Sequence, residues 1–342
     1  MKRLGFGYEV VIVGGGAAGL SAALVLGRAR RRVAVVDAGE PRNAPAAHMH
    51  AFLSRDGMPP AGLLAAGRAE AASYAVELIP DQVVRARAGD EGEVIVGLGG
   101  GRVIRARRLL IATGVRDELP DIPGARQLWG RGLLHCPYCH GWEVRGQPLG
   151  VLGGSPGAVQ HALLVRQWSA DVIFFAGQGE LPEAELAQLA AREIRVVAGE
   201  VASLVMKEGR LTGVQLADGH VVPRAAVFIR PRNVPRGDGL LAGLGCAVDA
   251  AGFPVVDVSG RTTVAGVWAA GNIVNPRAQV ITAAGDGAAA AMAINADLVA
   301  DDVARAARAG ADAPPIAGDP FSAAMEAHVA EIVAGDRRHG LL

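Results

Sequence analysis

The chain of 342 residues contains little cysteine, few aromatic side chains and no excess of either charge. It has three cysteines, and aromatic residues make up 4% of the sequence. Three cysteines do not provide the disulfide framework of a small secreted domain. Lysine with arginine and aspartate with glutamate number 34 each, so no overall field attracts nucleic acid or an anionic membrane.

A long apolar segment is also absent. Residues 10–27 are uncharged and follow Lys2 and Arg3, which gives them the outline of a signal peptide. They include five glycines, however, and glycine weakens a helix interior. No later stretch is long and apolar enough to cross a bilayer. We therefore predict a cytoplasmic protein that has neither a membrane nor a nucleic acid as its partner.

Residues 8–37 predict a strand, a glycine turn, a helix and a second strand: YEVVIVGGGAAGLSAALVLGRARRRVAVVD. The turn reads G-x-G-x-x-G and an acid ends the second strand about 20 residues later, which is the dinucleotide-binding fingerprint in its βαβ context. Its glycines let the backbone approach a pyrophosphate at the helix N-terminus, and its acid bonds ribose hydroxyls. The arginine-rich end of the helix, residues 28–32, is predicted to be solvated. The cofactor-binding residues predicted here are Gly14, Gly16, Ala17, Ala18, Gly19 and Asp37.

Residues 149–175 repeat this order of elements, which indicates an internal duplication: LGVLGGSPGAVQHALLVRQWSADVIFF. The glycine pattern is altered, because Ser155 occupies the position that most needs a bare backbone. Ser155 and Pro156 are good residues to cap and begin a helix. The sequence therefore predicts the helix of a second nucleotide-like unit and argues against its pyrophosphate site.

The end of the next predicted strand also argues against NAD(P)H. A 2′-phosphate needs arginines there, but residues 174–179 carry no charge and the nearest charged residue is Glu180. Each charge-assisted bond to such a phosphate is worth roughly 1.5–3 kcal/mol, so the loss of two weakens binding by about 100-fold or more. Arg166 and Arg195 are the alternative sources of positive charge from elsewhere in the unit.

Residues 135–143 read HCPYCHGWE and hold two of the three cysteines in a C-x-x-C. Such a pair can form a redox disulfide, half of a metal site or a structural turn. Zinc needs two further ligands, and Cys246, the remaining cysteine, is predicted to be a core thiol at the end of a strand. In a reducing compartment a lone C-x-x-C is more often catalytic or metal-binding than structural. The lack of further ligands favours a redox disulfide and no metal.

Two other segments add to the evidence from the first dinucleotide-binding fingerprint. LLIATG (109–114) and VWAAGN (267–272) resemble the second and third FAD signatures of flavoproteins with two dinucleotide-binding domains. Together with the C-x-x-C just before the second glycine pattern, residues 8–300 resemble the low-molecular-weight thioredoxin reductases. CPYCHG and GGSPGAV are most similar to the flavin-dependent dithiol oxidases, which close disulfides in natural products such as gliotoxin and holomycin.

The resemblance implies an α/β fold with two Rossmann-like dinucleotide-binding domains, the second inserted into a discontinuous FAD domain, and a homodimer. The expected FAD domain comprises residues 1–119 and 239–304. Residues 120–238 form the expected pyridine-nucleotide-like domain, which carries the C-x-x-C. Pro/Gly-rich stretches at both boundaries are the expected linkers. Residues 305–342 form an extension that contains a further helix.

The resemblance also implies FAD contacts beyond the first glycine loop. The third signature reads Gly-Asn instead of the usual Gly-Asp, and Ala278 stands where reductases commonly have arginine. The backbone of Gln279 is expected to lie near the flavin ring. The additional cofactor-binding residues implied are Arg42, Asn43, Ala112, Thr113, Gly114, Gly271, Asn272, Gln279 and Val280.

In the similar enzymes the second cysteine faces the flavin, which implies that place for Cys139 and leaves Cys136 to exchange with the substrate. His140 replaces the aspartate that reductases use as an acid, and we predict that it accepts the substrate's proton. His135 is a second candidate for this role. The loop of residues 48–50, with two histidines, is expected to pass near the flavin.

We therefore predict an FAD-dependent dithiol oxidase that takes electrons from a small-molecule dithiol and passes them to oxygen. The altered nicotinamide unit and His140 favour this direction of electron flow. Two alternatives remain open. One is a thioredoxin reductase supplied by NAD(P)H or by another donor, with thioredoxin as its partner. The other is a flavin-bound redox sensor without turnover.

Overall fold

The computed structural model describes residues 7–90, 92–310 and 322–334. The chain divides into two compact units, Met1–Asn295 and Ala296–Leu342, and both large sheets belong to the first. The strands are β1 (Tyr8–Val13), β2 (Val33–Asp37), β3 (Glu77–Pro80), β4 (Val83–Ala88), β5 (Val94–Leu98), β6 (Val103–Ile111), β7 (Val115–Glu118), β8 (Leu133–Leu134), β9 (Leu149–Leu152), β10 (Val172–Gly177), β11 (Arg195–Ala198), β12 (Val201–Lys207), β13 (Arg210–Leu216), β14 (Val221–Pro223), β15 (Ala226–Phe228), β16 (Arg232–Pro235) and β17 (Val267–Ala269). The helices are α1 (Ala17–Arg28), α2 (Pro60–Ser73), α3 (Ala125–Leu128), α4 (Pro137–His140), α5 (Ala158–Val165), α6 (Glu183–Ala191), α7 (Asp238–Leu244), α8 (Val280–Gly310) and α9 (Ala323–Ala334).

The first large sheet has the strand order β3-β2-β1-β6-β5-β4, with β17 paired beside β6. The strands β3, β2, β1, β6 and β17 are parallel, and β6, β5 and β4 form an antiparallel meander. At the centre of this sheet, Val11 on β1 lies opposite Ala34 on β2 and Leu109 on β6. The aliphatic runs 10–13 and 33–36 are buried, as expected for parallel strands that are covered on both faces. The first glycine loop follows the carboxyl end of β1.

The second large sheet has the strand order β11-β10-β9-β15-β8, and all its pairs are parallel. Its β9-α5-β10 unit repeats the order of β1-α1-β2, as the internal duplication predicts. The predicted helix start at Pro156 is wrong, because α5 begins at Ala158. Gly157 precedes the helix with a φ of +74°, and this left-handed residue interrupts the right-handed helix that would otherwise begin earlier.

An antiparallel ribbon lies where the chain passes between the large sheets. β7 follows β6 and pairs with β16, which follows β15, and Asp117 lies opposite Asn233. The smaller sheet β12-β13-β14 packs its apolar residues, including Leu204 and Val214, into the core beside Phe175 of the second large sheet. The expected domain boundaries near residues 120 and 238 lie beside the ribbon, and the domain division itself stays a prediction.

Two expectations about single residues are wrong. Arg28, Arg30 and Arg32 are exposed, as predicted for a solvated helix end. Arg31 differs, because its Nη1 lies 2.8 Å from Glu9 Oε1 and its Nε donates to Asn295 Oδ1. It is partly buried because these partners come from β1 and from α8. Cys246 is buried as predicted, but it follows α7 rather than a strand, and its thiol contacts Thr262 Oγ1 at 3.7 Å.

The C-terminal part of the chain is helical. α8 begins at Val280 and ends at Gly310. α9 lies where the spacing of apolar residues predicts a terminal helix. None of the helices in the described ranges combines the length and the hydropathy needed to cross a membrane.

Candidate functional site

A cavity of about 750 Å³ connects the first glycine loop with the C-x-x-C. Its volume lies within the roughly 300–1,000 Å³ of typical small-molecule and cofactor sites. Most of the predicted site residues line it: Gly14, Gly16, Ala17, Ala18, Asp37, Arg42, Asn43, Ala112, Thr113, Gly114, Cys136, Cys139, His140, Asn272, Gln279 and Val280. Gly19 and Gly271 are not part of this lining.

The three glycines of the fingerprint have different surroundings. A Cβ at Gly14 would lie 2.4 Å from Ala112 O, and one at Gly19 would lie 1.9 Å from Gly14 O, so neither position has room for a side chain. Gly16 has no atom within 4 Å of its ideal Cβ, and its φ of −78° and ψ of −172° suit any residue. The bare backbone of Gly16 therefore faces open space, as the approach of a pyrophosphate requires.

Two further glycines bring backbone segments together behind the cavity. A Cβ at Gly271, which has a φ of +77°, would lie 2.7 Å from the Cβ of Ala18. A Cβ at Gly287 would lie 2.0 Å from Ala18 O, so α8 packs directly on the first turn of α1. The sequence does not reveal the close contact made by Gly287, because a helix rich in alanine and glycine has the same sequence pattern with or without such a contact.

Asp37 ends β2 beside the glycine loop. A Cβ at Gly15 would lie 2.6 Å from Asp37 Oδ2, and Arg68 Nη2 donates to the same oxygen at 3.2 Å. Arg68 thus fixes one carboxylate oxygen and leaves the other available to accept bonds from ribose hydroxyls. No sequence motif identifies Arg68, which lies 31 residues from its partner.

The amide of Asn272 gives a reason for the unusual Gly-Asn signature. Its Nδ2 donates to Asn275 O at 3.0 Å and to Ala278 O at 2.9 Å, which closes the turn before α8. An aspartate has no donor for these carbonyl oxygens and would repel them. The amide side of Asn272 therefore shapes the turn, and its Oδ1 is the atom left to accept a hydrogen bond from a cofactor.

Arg42 lines the cavity, but most of its hydrogen-bond donors are bonded to other residues of the protein. Its Nε and Nη2 donate to Asp117 at 2.8 and 2.7 Å, and its Nη1 donates to Pro276 O at 2.8 Å. Asn233 donates to the same carboxylate at 2.6 Å. Arg42 therefore joins the loop after β2 to the β7–β16 ribbon and to the turn before α8, and contributes to the cavity chiefly by holding three wall segments together.

The two cysteines of the C-x-x-C form a disulfide with their Cα atoms 5.2 Å apart. Cys136 precedes the single turn α4, and its carbonyl accepts the N–H groups of Cys139 and His140 at 3.1 and 3.2 Å. Pro137 occupies the first helical position, where its missing N–H costs nothing. The turn therefore presents both sulfur-bearing residues and His140 to the same cavity.

Two histidines next to these cysteines have lowered pKa values. Burial is the main cause for His140, with a further lowering from His50, while Glu143 opposes both. Burial also lowers the pKa of His135 to about 4, with Arg42 as the next cause. His135 stacks on Trp129 with ring centres 5.8 Å apart. Both imidazoles are therefore neutral at pH 7, the form that accepts a proton.

A second recess of about 480 Å³ adjoins the main cavity and shares His48, His50 and His140 with it. His50 lies between two carboxylates, with Nδ1 3.3 Å from Asp56 Oδ1 and Nε2 3.5 Å from Glu143 Oε1. The sequence gives no signal for these two acids. Among the described residues, no cluster of histidine, cysteine and acidic side chains is arranged to hold a metal ion.

The second glycine loop has no cation from either alternative source. Arg166 donates to Arg192 O at 2.9 Å and to Ser169 O at 3.2 Å, and it pairs with Glu193. Arg195 pairs with Asp171 at 2.6 Å. Both guanidinium groups are thus held by partners in their own part of the sheet.

Three comparisons place the chain among known proteins. The model of the family described as pyridine nucleotide-disulphide oxidoreductase matches residues 8–288. The thioredoxin reductase sirT of Leptosphaeria maculans is 30% identical over 315 residues, which cover 87% of this chain and 96% of that protein. The crystal structure of HlmI shares 56% identity, with a TM-score of 0.86 over 89% of this chain and 96% of that one. An oxidoreductase from Agrobacterium tumefaciens shares 39% identity, with a TM-score of 0.80 over 85% of this chain and 98% of that one.

Proposed function

Because the chain belongs to the pyridine nucleotide-disulphide oxidoreductase family, we propose that it is an FAD-dependent dithiol oxidase acting on a small-molecule dithiol. The family and its thioredoxin-reductase-like relatives make the chain a flavin-dependent oxidoreductase. The observation that supports the finer proposal is the pairing of a complete first glycine loop with the disulfide in one cavity. In the second unit, Arg166 and Arg195 are held by other partners and do not form a clamp for the 2′-phosphate of NADPH.

The residues around the main cavity fit FAD. Gly16 offers an uncovered backbone for the pyrophosphate, Asp37 and Asn272 offer oxygen acceptors, and Gln279 lies on the wall of the same cavity. FAD bound there would supply a two-electron acceptor that oxygen can reoxidise. The polar groups of the chain would orient the cofactor, and the disulfide would mediate between it and the substrate.

The proposed exchange begins with a substrate thiolate. It attacks Cys136 Sγ, the Cys136–Cys139 bond breaks, and Cys139 leaves as a thiolate. The second substrate thiol then attacks the substrate sulfur of this mixed disulfide, which releases the oxidised substrate and the Cys136 thiolate. Bound FAD would accept the electron pair held by the two cysteines, and oxygen would be the final acceptor. The balance is one dithiol and one O₂ consumed for one disulfide and one H₂O₂ formed.

The His140→Ala variant should oxidise dithiol about 10²–10⁴-fold more slowly, with FAD still bound, because a general base is lost. Burial lowers the pKa of His140, so the neutral form persists below pH 7 and the wild-type rate should fall only below about pH 6.5. This acid limb should be missing from the variant. Stopped-flow bleaching of the flavin by dithiol across pH 5–9 measures both effects, with the exposed His220→Ala as a control. A variant that keeps the wild-type pH profile would show that another group accepts the proton.

Anaerobic mixing tests the function itself. Dithiothreitol should bleach the flavin of the purified holoprotein, and admission of air should restore the colour with one H₂O₂ for each disulfide formed. NADPH alone should leave the flavin oxidised. Rapid bleaching by NADPH would instead support the second candidate, a thioredoxin reductase, which the names of relatives such as sirT favour. Turnover with neither donor would support a redox sensor.

We also propose a cytoplasmic homodimer. An apolar strip on α8 is consistent with an interface, because Ile281 and Met292 are exposed there, 38% and 61%, and are separated by the small exposed residues Gly285 and Ala289. Light scattering of the holoprotein gives the number of chains.

We also propose the expected division into three parts. The FAD domain comprises residues 1–119 and 239–304, the pyridine-nucleotide-like domain comprises residues 120–238, and the extension comprises residues 305–342.

A further inference from the structure

The strand order of the second large sheet predicts a crevice in which a dinucleotide would be expected to bind. From β9 the chain proceeds through α5 to β10 on one side, while β15 lies on the other side of β9. In open parallel sheets, ligands bind at the carboxyl ends of the strands where the strand order reverses in this way. The loop 153–157 follows β9 at this point, and Arg230 follows β15 by two residues.

The side chain of Arg230 covers this loop. Its Nη1 donates to Gly157 O at 3.3 Å, across 73 residues of sequence. A Cβ at Gly157 would lie 2.1 Å from Arg230 Nη1, so the guanidinium rests on the face of the loop that lacks a side chain. Ser155, which corresponds to Gly16 of the first loop, lies two residues before Gly157 in the same loop, whereas Gly16 itself has no atom within 4 Å of its ideal Cβ.

We infer that Arg230 excludes pyridine nucleotides by occupying the approach to the second glycine loop. A pyrophosphate must come close to the backbone of such a loop, and here a side chain of the protein fills that space. Arg230 itself is exposed, so it closes the crevice without being required for the core. This makes it a specificity-determining residue for the electron donor, and the inference rests on the proposed use of dithiol instead of NAD(P)H.

The Arg230→Gly variant tests this inference in the holoprotein. NADH is the probe, because it has no 2′-phosphate and the missing clamp arginines do not affect it. We expect NADH to bind the variant about tenfold tighter or more, as relief of a steric overlap would give. Quenching of tryptophan fluorescence measures binding, and anaerobic flavin bleaching by NADH measures electron transfer. Arg230→Lys should bind NADH as weakly as the wild type, because lysine keeps a long cationic side chain beside the loop.

The matched control is Arg232→Ala, because Arg232 is an exposed arginine two residues along the chain that pairs with Glu118 instead of the loop. It should bind NADH as weakly as the wild type. The inference would be overturned if Arg230→Gly bound NADH with the same affinity as the wild type. Weaker binding by the variant would also overturn it, because it would show that Arg230 attracts the nucleotide. Failure of the proposed function would look different, since NADH would then bleach the wild-type flavin. Dithiol oxidation by Arg230→Gly at the wild-type rate would show that the first site is intact.

Discussion

Replacing Cys139 with serine should reduce dithiol oxidation by roughly 10³-fold or more, as expected when a residue that carries a covalent redox step is removed. Serine is nearly the size of cysteine, and α4 should form unchanged because the backbone bonds to Cys136 O and the proline at the first helical position do not involve the sulfur. The variant should therefore keep its FAD and its melting temperature. Stopped-flow flavin bleaching by dithiothreitol measures the loss.

The same variant separates the roles of the two cysteines. With Cys139 absent, Cys136 is a free thiol that can exchange with a disulfide. Oxidised glutathione should therefore leave one glutathione on Cys136 as a mixed disulfide and release the other as a thiol, and mass spectrometry of the intact protein detects this adduct. Cys136→Ser should not form this adduct. The control is Cys246→Ser, because that thiol is buried against Thr262 and a hydroxyl can keep the contact. Accumulation of the adduct in Cys136→Ser instead would reverse the assignment of the two sulfurs.

The Gly16→Val variant should fold and yet bind FAD about 100-fold more weakly or worse. The backbone angles of Gly16 suit valine, and no protein atom lies within 4 Å of the new Cβ, so the apoprotein has no reason to unfold. The side chain would project into the space needed by the pyrophosphate. The loss of two hydrogen bonds to a charged group, at roughly 1.5–3 kcal/mol each, gives this magnitude.

Flavin absorbance per chain and titration of the apoprotein with FAD measure this effect, while circular dichroism checks the fold. Gly179→Val is the matched control, since Gly179 also has no atom within 4 Å of its ideal Cβ but lies in the second sheet region, outside the main cavity. It should purify with a full complement of FAD. A yellow Gly16→Val protein with wild-type affinity would mean that the first loop is not the pyrophosphate site.

Several features of this protein could be predicted because they depend on short stretches of chain. The first βαβ unit, with its loop and acid, occupies residues 8–37, and apolar runs and glycine positions specify it without help from distant residues. The C-x-x-C turn is also local, since two cysteines at this spacing with proline between them can form one helical turn and a disulfide. The resemblance that these units support implied the α/β fold with two Rossmann-type sheets, and this fold is confirmed.

Other features depend on residues that are far apart in the sequence. The hydrogen-bond partners of Arg42 lie 75 and 234 residues away in the sequence. Arg42 therefore connects segments of the cavity wall and is also a candidate cofactor contact. His50, Asp56 and Glu143 form their cluster only because the loop after β2 folds against the turn of the C-x-x-C. Nothing in the local sequence distinguishes such residues from ordinary surface charges.

The second glycine loop shows both contributions. Its sequence by itself determined that a βαβ unit is present. The sequence also predicts a weakened nucleotide site, because Ser155 at the pyrophosphate position and the lack of arginines for a 2′-phosphate can be read directly. Only the tertiary structure decided where the helix begins and what covers the loop. Gly157 adopts a left-handed φ, and Arg230 reaches the loop because β15 pairs beside β9, a pairing of strands more than 70 residues apart. Local patterns fix which elements form, whereas the packing of distant strands fixes which side chains meet in the space between them.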